Sequence, residues 1–137
     1  MNFYRLLSVS AAILLSLSVA KAQNPQQQTP EQREKQMLEY IEKEVQRLSD
    51  LLDLEYWQEF YVDSILVHDY HALSEELESL QTAKVSNPDL YMAVQDKWAE
   101  QIDKSYKRYF TEDQWKKYWK TTGRKAQEAR DKRKKKK

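Results

Sequence analysis

Two histidines, one helical turn apart, are the side chains in this sequence with the clearest capacity for chemistry. His68 and His71 fall on one helical face, and Glu75 lies one turn beyond His71. Such a triple of imidazole and carboxylate groups can hold Zn²⁺ or Cu²⁺ and leave one coordination position open. The alternative, which we favour, is that both histidines pack at the edge of an aromatic stripe. We therefore predict no metal and no other cofactor.

No arrangement of side chains in the sequence is typical of an enzyme. The 137 residues include one glycine, Gly123, and no cysteine. Loops that cradle phosphates need several glycines, and a glycine-supported oxyanion loop is missing as well. A chain without cysteine has no thiol nucleophile, thiolate zinc site or disulfide. We therefore predict a protein that binds without turnover.

The elements that carry these side chains follow a helical period from residue 29 onward, which predicts an all-α fold. A near absence of glycine is typical of long helices. Capping residues or prolines mark four helix starts. The predicted starts lie at Thr29-Pro30, Glu55, Asn87-Pro88 and Thr111. Because the connections are very short, we expect three to four amphipathic helices in an antiparallel bundle or an open, curved hairpin stack.

Three of these helices have a single apolar face, which predicts the core. In the first helix the apolar residues alternate at spacings of three and four, and they are Leu38, Ile41, Val45, Leu48 and Leu52. In the third and fourth helices we assign Trp98, Trp115 and Trp119 to the core. Gly123 interrupts the fourth helix, and we expect the helix to end or weaken there.

The second helix differs because it carries apolar residues on two opposite sides. One stripe consists of Val62, Leu66, Leu73, Leu77 and Leu80, and the other of Trp57, Phe60, Tyr61, His68, His71 and Ala72. Another helix of the same chain could cover the second stripe, or the stripe forms a dimer interface or a binding surface. We predict that Trp57, Phe60, Tyr61 and His68 contact a client, a fixed protein partner or a second copy in a homodimer.

The ends of the chain indicate a location and a possible contact with anions. Arg5 precedes an uncharged apolar stretch over residues 6–19, and Ala20-Lys21-Ala22 follows, which predicts a secretory signal peptide over residues 1–22. We expect a disordered leader over 23–28, a helical domain over 29–129, a basic tail over 130–137 and no transmembrane segment. Export makes nucleic acid an unsuitable partner. The tail either stays solvated or contacts lipopolysaccharide or acidic segments.

Charge is distributed unevenly along the chain. Residues 31–82 carry 14 acidic and four basic residues, whereas residues 124–137 carry nine basic and two acidic residues. Antiparallel packing would bring acidic and basic segments together, and their attraction favours that arrangement. Repulsion among the last lysines predicts a frayed end.

Two helix starts share a five-residue motif. Residues 54–58 begin with Leu54 and end with Gln58, and residues 110–114 contain Thr111 and Gln114 at the equivalent spacing. Each motif predicts a capping box, in which the glutamine amide bonds to the backbone at the helix start. Glutamate replaces the capping threonine in the first copy, so we expect Asp53 to cap that helix instead.

Both motifs resemble the Leu-Thr-x-x-Gln motif of the Spy/CpxP family, small helical periplasmic proteins of the bacterial envelope stress response. The resemblance implies a cradle-like helical dimer that binds unfolded or partly folded proteins without ATP, or a regulator that docks on a sensor domain. It also implies that a metal response through His68 and His71 is one alternative. A structural module with one fixed protein partner is another.

Overall fold

The computed structural model describes residues 28–136, which contain helices and no strand. The helices are α1 (Pro30–Leu52), α2 (Tyr56–Thr82), α3 (Pro88–Tyr109), α4 (Glu112–Tyr118) and α5 (Arg124–Lys134). A π-helical turn, Trp119–Gly123, joins α4 to α5 without a break, so the described part has four continuous helices. The prediction of an all-α fold is confirmed for these residues. The predicted signal peptide and all but residue 28 of the leader lie outside them.

The chain divides into two units after residue 34, and the structure describes residues 28–34 of the first and residues 35–136 of the second. The described part of the first unit holds the start of α1. There the Gln32 N–H donates to Thr29 Oγ1 at 3.2 Å, and the Thr29 N–H donates to Gln32 Oε1 at 2.9 Å. These two reciprocal bonds are the capping box that the sequence predicts at this position.

The core of the second unit joins residues from α1, α2 and α3, from the connection between α3 and α4, and from the end of α4. Its buried members are Ile41, Leu48, Leu52, Val62, Leu66, Tyr106, Phe110 and Tyr118. The predicted apolar face of α1 is therefore correct at three positions, with Val45 half-buried beside them. Leu38 is exposed, and Met37 and Tyr40 pack against the core at that end of the helix instead.

The three tryptophans that we assigned to the core are only half-buried, and of the three Trp115 packs against the core. The buried aromatic positions belong to Tyr106, Phe110 and Tyr118, whose rings lie 5.1–6.0 Å apart. An indole N–H needs a hydrogen-bond acceptor when it leaves water. Trp98 finds one at the surface, where its Nε1 donates to Glu76 Oε2 at 2.8 Å.

A short connection turns the chain between α2 and α3. Lys84 adopts φ 56°, the left-handed conformation that ends many helices. Asn87 caps α3 by accepting the Asp89 N–H at 3.0 Å, as the sequence predicts. The Tyr91 hydroxyl donates to the Val85 carbonyl at 2.7 Å and closes the turn. The connection therefore has its own hydrogen bonds, and α3 packs back along α2.

The last helix continues past residue 129, where we expected the helical domain to give way to a basic tail. Three ion pairs hold it to one face of α3. They join Arg130 to Asp103, Arg133 to Asp96 and Lys134 to Glu100, each with an N–O distance of 2.5 Å. Attraction to these carboxylates outweighs the repulsion among the basic residues as far as Lys134, where α5 ends. No helix within residues 28–136 is both long and apolar enough to cross a bilayer.

Candidate functional site: an aromatic surface on a glutamine junction

The starts of α2 and α4 meet through their two motif glutamines. Gln58 Nε2 donates to Gln114 Oε1 at 2.7 Å, and Gln114 Nε2 donates back to Gln58 Oε1 at 3.1 Å. Each amide also bonds across the junction to a backbone carbonyl, Gln58 to Tyr109 at 2.9 Å and Gln114 to Leu52 at 3.3 Å. We call these two side chains and their partners the glutamine junction. It ties the α1–α2 connection to the α3–α4 connection.

The same glutamines complete the predicted caps. The Glu55 N–H donates to Gln58 Oε1 at 3.0 Å, and the Thr111 N–H donates to Gln114 Oε1 at 2.9 Å. Thr111 Oγ1 accepts the Gln114 N–H at 3.2 Å. Asp53 does not cap α2, because it adopts φ 50° in the turn while Glu55 takes the N-cap position. That expectation is wrong, because α2 begins directly after Glu55 and Asp53 lies two residues before the N-cap position.

Four aromatic side chains project from the first two turns of α2 and form what we call the aromatic surface. The exposed fractions are 86% for Tyr56, 48% for Trp57, 63% for Phe60 and 40% for Tyr61. Fully buried Val62 and Leu66 lie on the opposite side of the helix. Within the described residues, no helix of the chain covers the second apolar stripe at these positions.

The aromatic surface is held in place from behind. The Tyr61 ring stacks on Tyr109 of α3, with centroids 4.4 Å apart and planes 15° from parallel. Trp57 and Phe60 both pack edge-on against Tyr61, at 6.2 and 5.8 Å. Because Gln58 bonds the carbonyl of Tyr109, the glutamine junction fixes the residue on which the surface rests.

Only acidic residues accompany the aromatic surface on its own stretch of chain. From Arg47 to Lys84 the sequence contains no other lysine or arginine, but Asp53, Glu55, Glu59 and Asp63 lie within the first turns of α2 or just before it. Asp53, Glu55 and Asp63 are exposed. Glu55 Oε2 accepts the Trp57 indole N–H at 2.6 Å, and Glu59 is half-buried and accepts the Ser49 hydroxyl. The surface is therefore apolar at its centre and negative at its edge.

The histidines lie farther along α2 and do not assemble with Glu75 into a metal site. No group of three His, Cys, Asp or Glu side chains within residues 28–136 has a geometry suited to a metal ion. His68 is exposed, and its Nδ1 lies 2.8 Å from Oδ1 of buried Asp69. His71 is half-buried and Glu75 is exposed. The predicted contact residue His68 thus lies two turns beyond Tyr61.

A second group of aromatic residues lies in the core or packs against it. Burial raises the pKa of Tyr70, Tyr106 and Tyr118 well above the ordinary tyrosine value, and it also raises the pKa of Tyr40. For Tyr118 the nearby Asp103 carboxylate, 2.6 Å from the hydroxyl, raises the pKa further. These hydroxyls stay protonated at neutral pH, so the core of this unit is uncharged at these positions.

Comparison with known proteins returns no relative. No protein-family model, no curated protein and no solved structure matches this chain. The features that indicate a function are therefore the aromatic surface and the residues that hold it in place.

Sequence reasoning identified Trp57, Phe60 and Tyr61 but missed Tyr56 of the surface and Tyr109, which supports it. Tyr56 is the first residue after the N-cap. Its position in the first turn lies away from the core, so its side chain is exposed. Tyr109 belongs to α3, and only the contact between the two motifs brings it under Tyr61. The missed signal was that two glutamine capping motifs in one chain can bond to each other.

Proposed function

We propose that this protein binds unfolded or partly folded proteins through its aromatic surface, without turnover and without a cofactor. The observation that supports this proposal is the exposure of Trp57, Phe60 and Tyr61 on a helix whose other side is in the core. Exposed aromatic side chains that lie side by side are typical of binding surfaces, since they offer large, stiff contact areas with a polar edge. The resemblance of the two motifs to the Spy/CpxP family is consistent with this function.

The size of the surface suits weak and reversible binding. Half of an aromatic side chain is about 100 Å², and its burial contributes about 2.5 kcal/mol. Three such rings contribute about 7 kcal/mol, whereas association itself costs at least about 4 kcal/mol in lost freedom. A client held by this surface alone exchanges readily, which is useful for a protein that releases clients without ATP. A second copy that buries the same surface in a homodimer would compete with clients.

An aggregation assay tests the proposal. The protein should suppress the aggregation of several unrelated denatured proteins at a near-stoichiometric ratio. The variant Trp57→Ser/Phe60→Ser should lose most of this activity while its thermal unfolding changes little, because about half or more of each residue is exposed. A matched control is Leu38→Ser/Leu90→Ser, which removes two exposed apolar side chains outside the aromatic surface and should retain activity.

The outcomes separate the alternatives. Suppression that survives in Trp57→Ser/Phe60→Ser would contradict the assignment of the surface. Wild-type protein that suppresses no aggregation, but captures one envelope protein through the same residues, would favour a module with a fixed partner. Light scattering on the same variants reports whether the surface also mediates dimerisation.

We also propose that the protein acts in the bacterial periplasm after removal of residues 1–22. This proposal is supported by the sequence of those residues alone. The protein recovered from the periplasmic fraction should begin at Gln23. A mature chain that begins at Met1 in the cytoplasm would contradict it.

A further inference from the structure

The charges around the aromatic surface point to the chemistry of its occupant. We propose that the surface selects client segments that combine apolar residues with lysine or arginine, and that it discriminates against acidic segments. This inference rests on the proposed function and adds the class of client. The partner it names is a short, cationic and apolar stretch of unfolded chain.

The edge of the aromatic surface is negative. Asp53 and Asp63 are exposed on either side of the aromatic residues along the chain, and Glu55 is exposed between them. The indole of Trp57 donates to Glu55, so this carboxylate is fixed at the edge of the ring. A cationic side chain beside the rings would find a carboxylate and an aromatic face together, and both attract cations.

The helix that carries the aromatic surface has no cation of its own. α2 contains no lysine or arginine, and Arg108, next to Tyr109 in α3, is the cation nearest in sequence to the residues that form or support the surface. In α5, Arg130, Arg133 and Lys134 pair with carboxylates of α3. The negative edge is therefore not matched by basic residues of its own helix, and a cationic occupant would supply the complementary charge.

The negative edge affects which clients bind more than how tightly they bind. Rim charges change affinity modestly, but like charges placed opposite each other suppress wrong partners. When the apolar residues of an acidic client contact the rings, its carboxylates lie close to Asp53, Glu55 and Asp63 and are repelled by them. Apolar contact supplies the attraction to every client, and the negative edge decides between clients of opposite charge.

The experiment compares two seven-residue peptides with the same apolar residues, one with lysine and one with glutamate at every charged position. Seven residues span at most about 25 Å when extended, and the charge variants below test where the peptide binds. Binding is measured by fluorescence anisotropy with a label on the peptide. We expect the lysine peptide to bind at least about fivefold more tightly, and this preference to disappear at roughly 1 M salt, where the Debye length is about 3 Å.

Two charge variants localise the effect. Asp53→Asn/Asp63→Asn removes two charges at the surface, and asparagine tolerates the left-handed backbone of residue 53. Glu78→Gln/Asp89→Asn removes two exposed charges at the other end of the α2–α3 hairpin, where Glu78 lies about 22 Å along the helix from Asp63. The first variant should lose most of the preference for the lysine peptide, and the second should keep it.

The results separate this inference from the proposed function. Equal binding of the two peptides, or a preference that the Glu78→Gln/Asp89→Asn variant loses equally, would overturn the inference, and the aggregation assay would still stand. If neither peptide binds but aggregation is suppressed, the client class is wrong and the function is retained. If neither peptide binds and aggregation is not suppressed, both proposals fail.

Discussion

Gln58 connects two helix starts with one side chain, and it is the buried residue closest to the aromatic surface. It is 2% exposed, and its amide serves the Glu55 N–H, the Tyr109 carbonyl and the Gln114 amide. A buried amide that satisfies several polar groups leaves all of them unpaired when it is removed. Its contribution is therefore larger than that of an ordinary capping residue.

Alanine substitutions at the glutamine junction test this argument. Gln58→Ala and Gln114→Ala should each lower the free energy of unfolding by about 1–3 kcal/mol, because buried backbone groups lose their partners. The double variant should lose less than the sum, by at least about 0.5 kcal/mol, since each single change already removes the two bonds between the amides. Urea denaturation followed by circular dichroism measures all three values.

The exposed cap at the start of α1 supplies the control for these variants. Gln32 forms the same reciprocal bonds with Thr29 at a solvent-exposed helix start, so Gln32→Ala should cost about 1 kcal/mol or less. Additive losses at Gln58 and Gln114 would contradict the reciprocal bond between them.

At the scale of elements, the π-helical turn explains how the last helix passes Gly123 without ending. A π turn accommodates one extra residue and often marks a local constraint. A Cβ atom on residue 123 would lie 2.5 Å from Trp119 Cε3 and 3.2 Å from Tyr118 Cε1. The Trp119 ring stacks on Trp115 at 5.4 Å, which limits its movement away. Glycine is thus required by close packing of a ring, and its φ is negative as in any helix.

Gly123→Ala should therefore destabilise the protein despite the better helix propensity of alanine. Propensity alone would add up to about 1 kcal/mol of stability, whereas overpacking costs about 1–3 kcal/mol. In a Trp119→Ala background the same substitution should be neutral or stabilising, because the ring is gone. Thermal unfolding of the four proteins gives the comparison, and a stabilising Gly123→Ala in the wild-type background would refute the close contact.

The ion pairs between α5 and α3 differ in burial, which predicts unequal effects of removing them. Arg130 and Asp103 are 5% and 13% exposed in their side chains, so Asp103→Asn leaves a buried guanidinium without a counter-charge and should cost about 3 kcal/mol. Asp96→Asn releases Arg133, which is 40% exposed, and should cost about 1 kcal/mol or less. Urea denaturation of the two variants side by side measures the difference. Equal losses would show that α5 is held evenly along its length.

For the whole molecule, the buried tyrosines set an upper pH limit to stability. The folded-state pKa of Tyr70, Tyr106 and Tyr118 is raised by burial above the unfolded value of about 10. A raised folded pKa means that this stability is fully present below pH 10 and is lost as the pH rises above it. We expect tyrosinate absorbance of these residues to appear only as the protein unfolds.

Tyr106→Phe isolates one of these contributions. Phenylalanine keeps the ring that packs on Phe110 and Tyr118 but has no proton to lose. The variant should therefore lose less stability per pH unit above pH 10 than the wild type, measured as urea midpoints at several pH values. A steeper slope in the variant would contradict the burial argument.

The sequence predicted the fold class, the helix starts and the two apolar stripes of α2 because each depends on local spacing and caps. It did not predict which aromatic residues form the core, since Trp98 and Tyr106 have similar positions in an amphipathic pattern and only packing distinguishes them. It placed a tail where α5 continues, because the carboxylates that hold Arg130 and Arg133 are more than 25 residues away in sequence. The sequence likewise did not predict that the two glutamines bond to each other, because they lie 56 residues apart.

The distance along the chain between the two glutamines also has a kinetic consequence. Helices form from local contacts, but the Gln58–Gln114 bond closes a loop of 56 residues. Contacts between residues this far apart in sequence form late in folding. Closing the loop between them costs chain entropy before the contact can stabilise the protein. Weakening the pair should then accelerate unfolding and leave the refolding rate almost unchanged. The lifetime of the native state, more than the speed of reaching it, depends on this one bond between side chains.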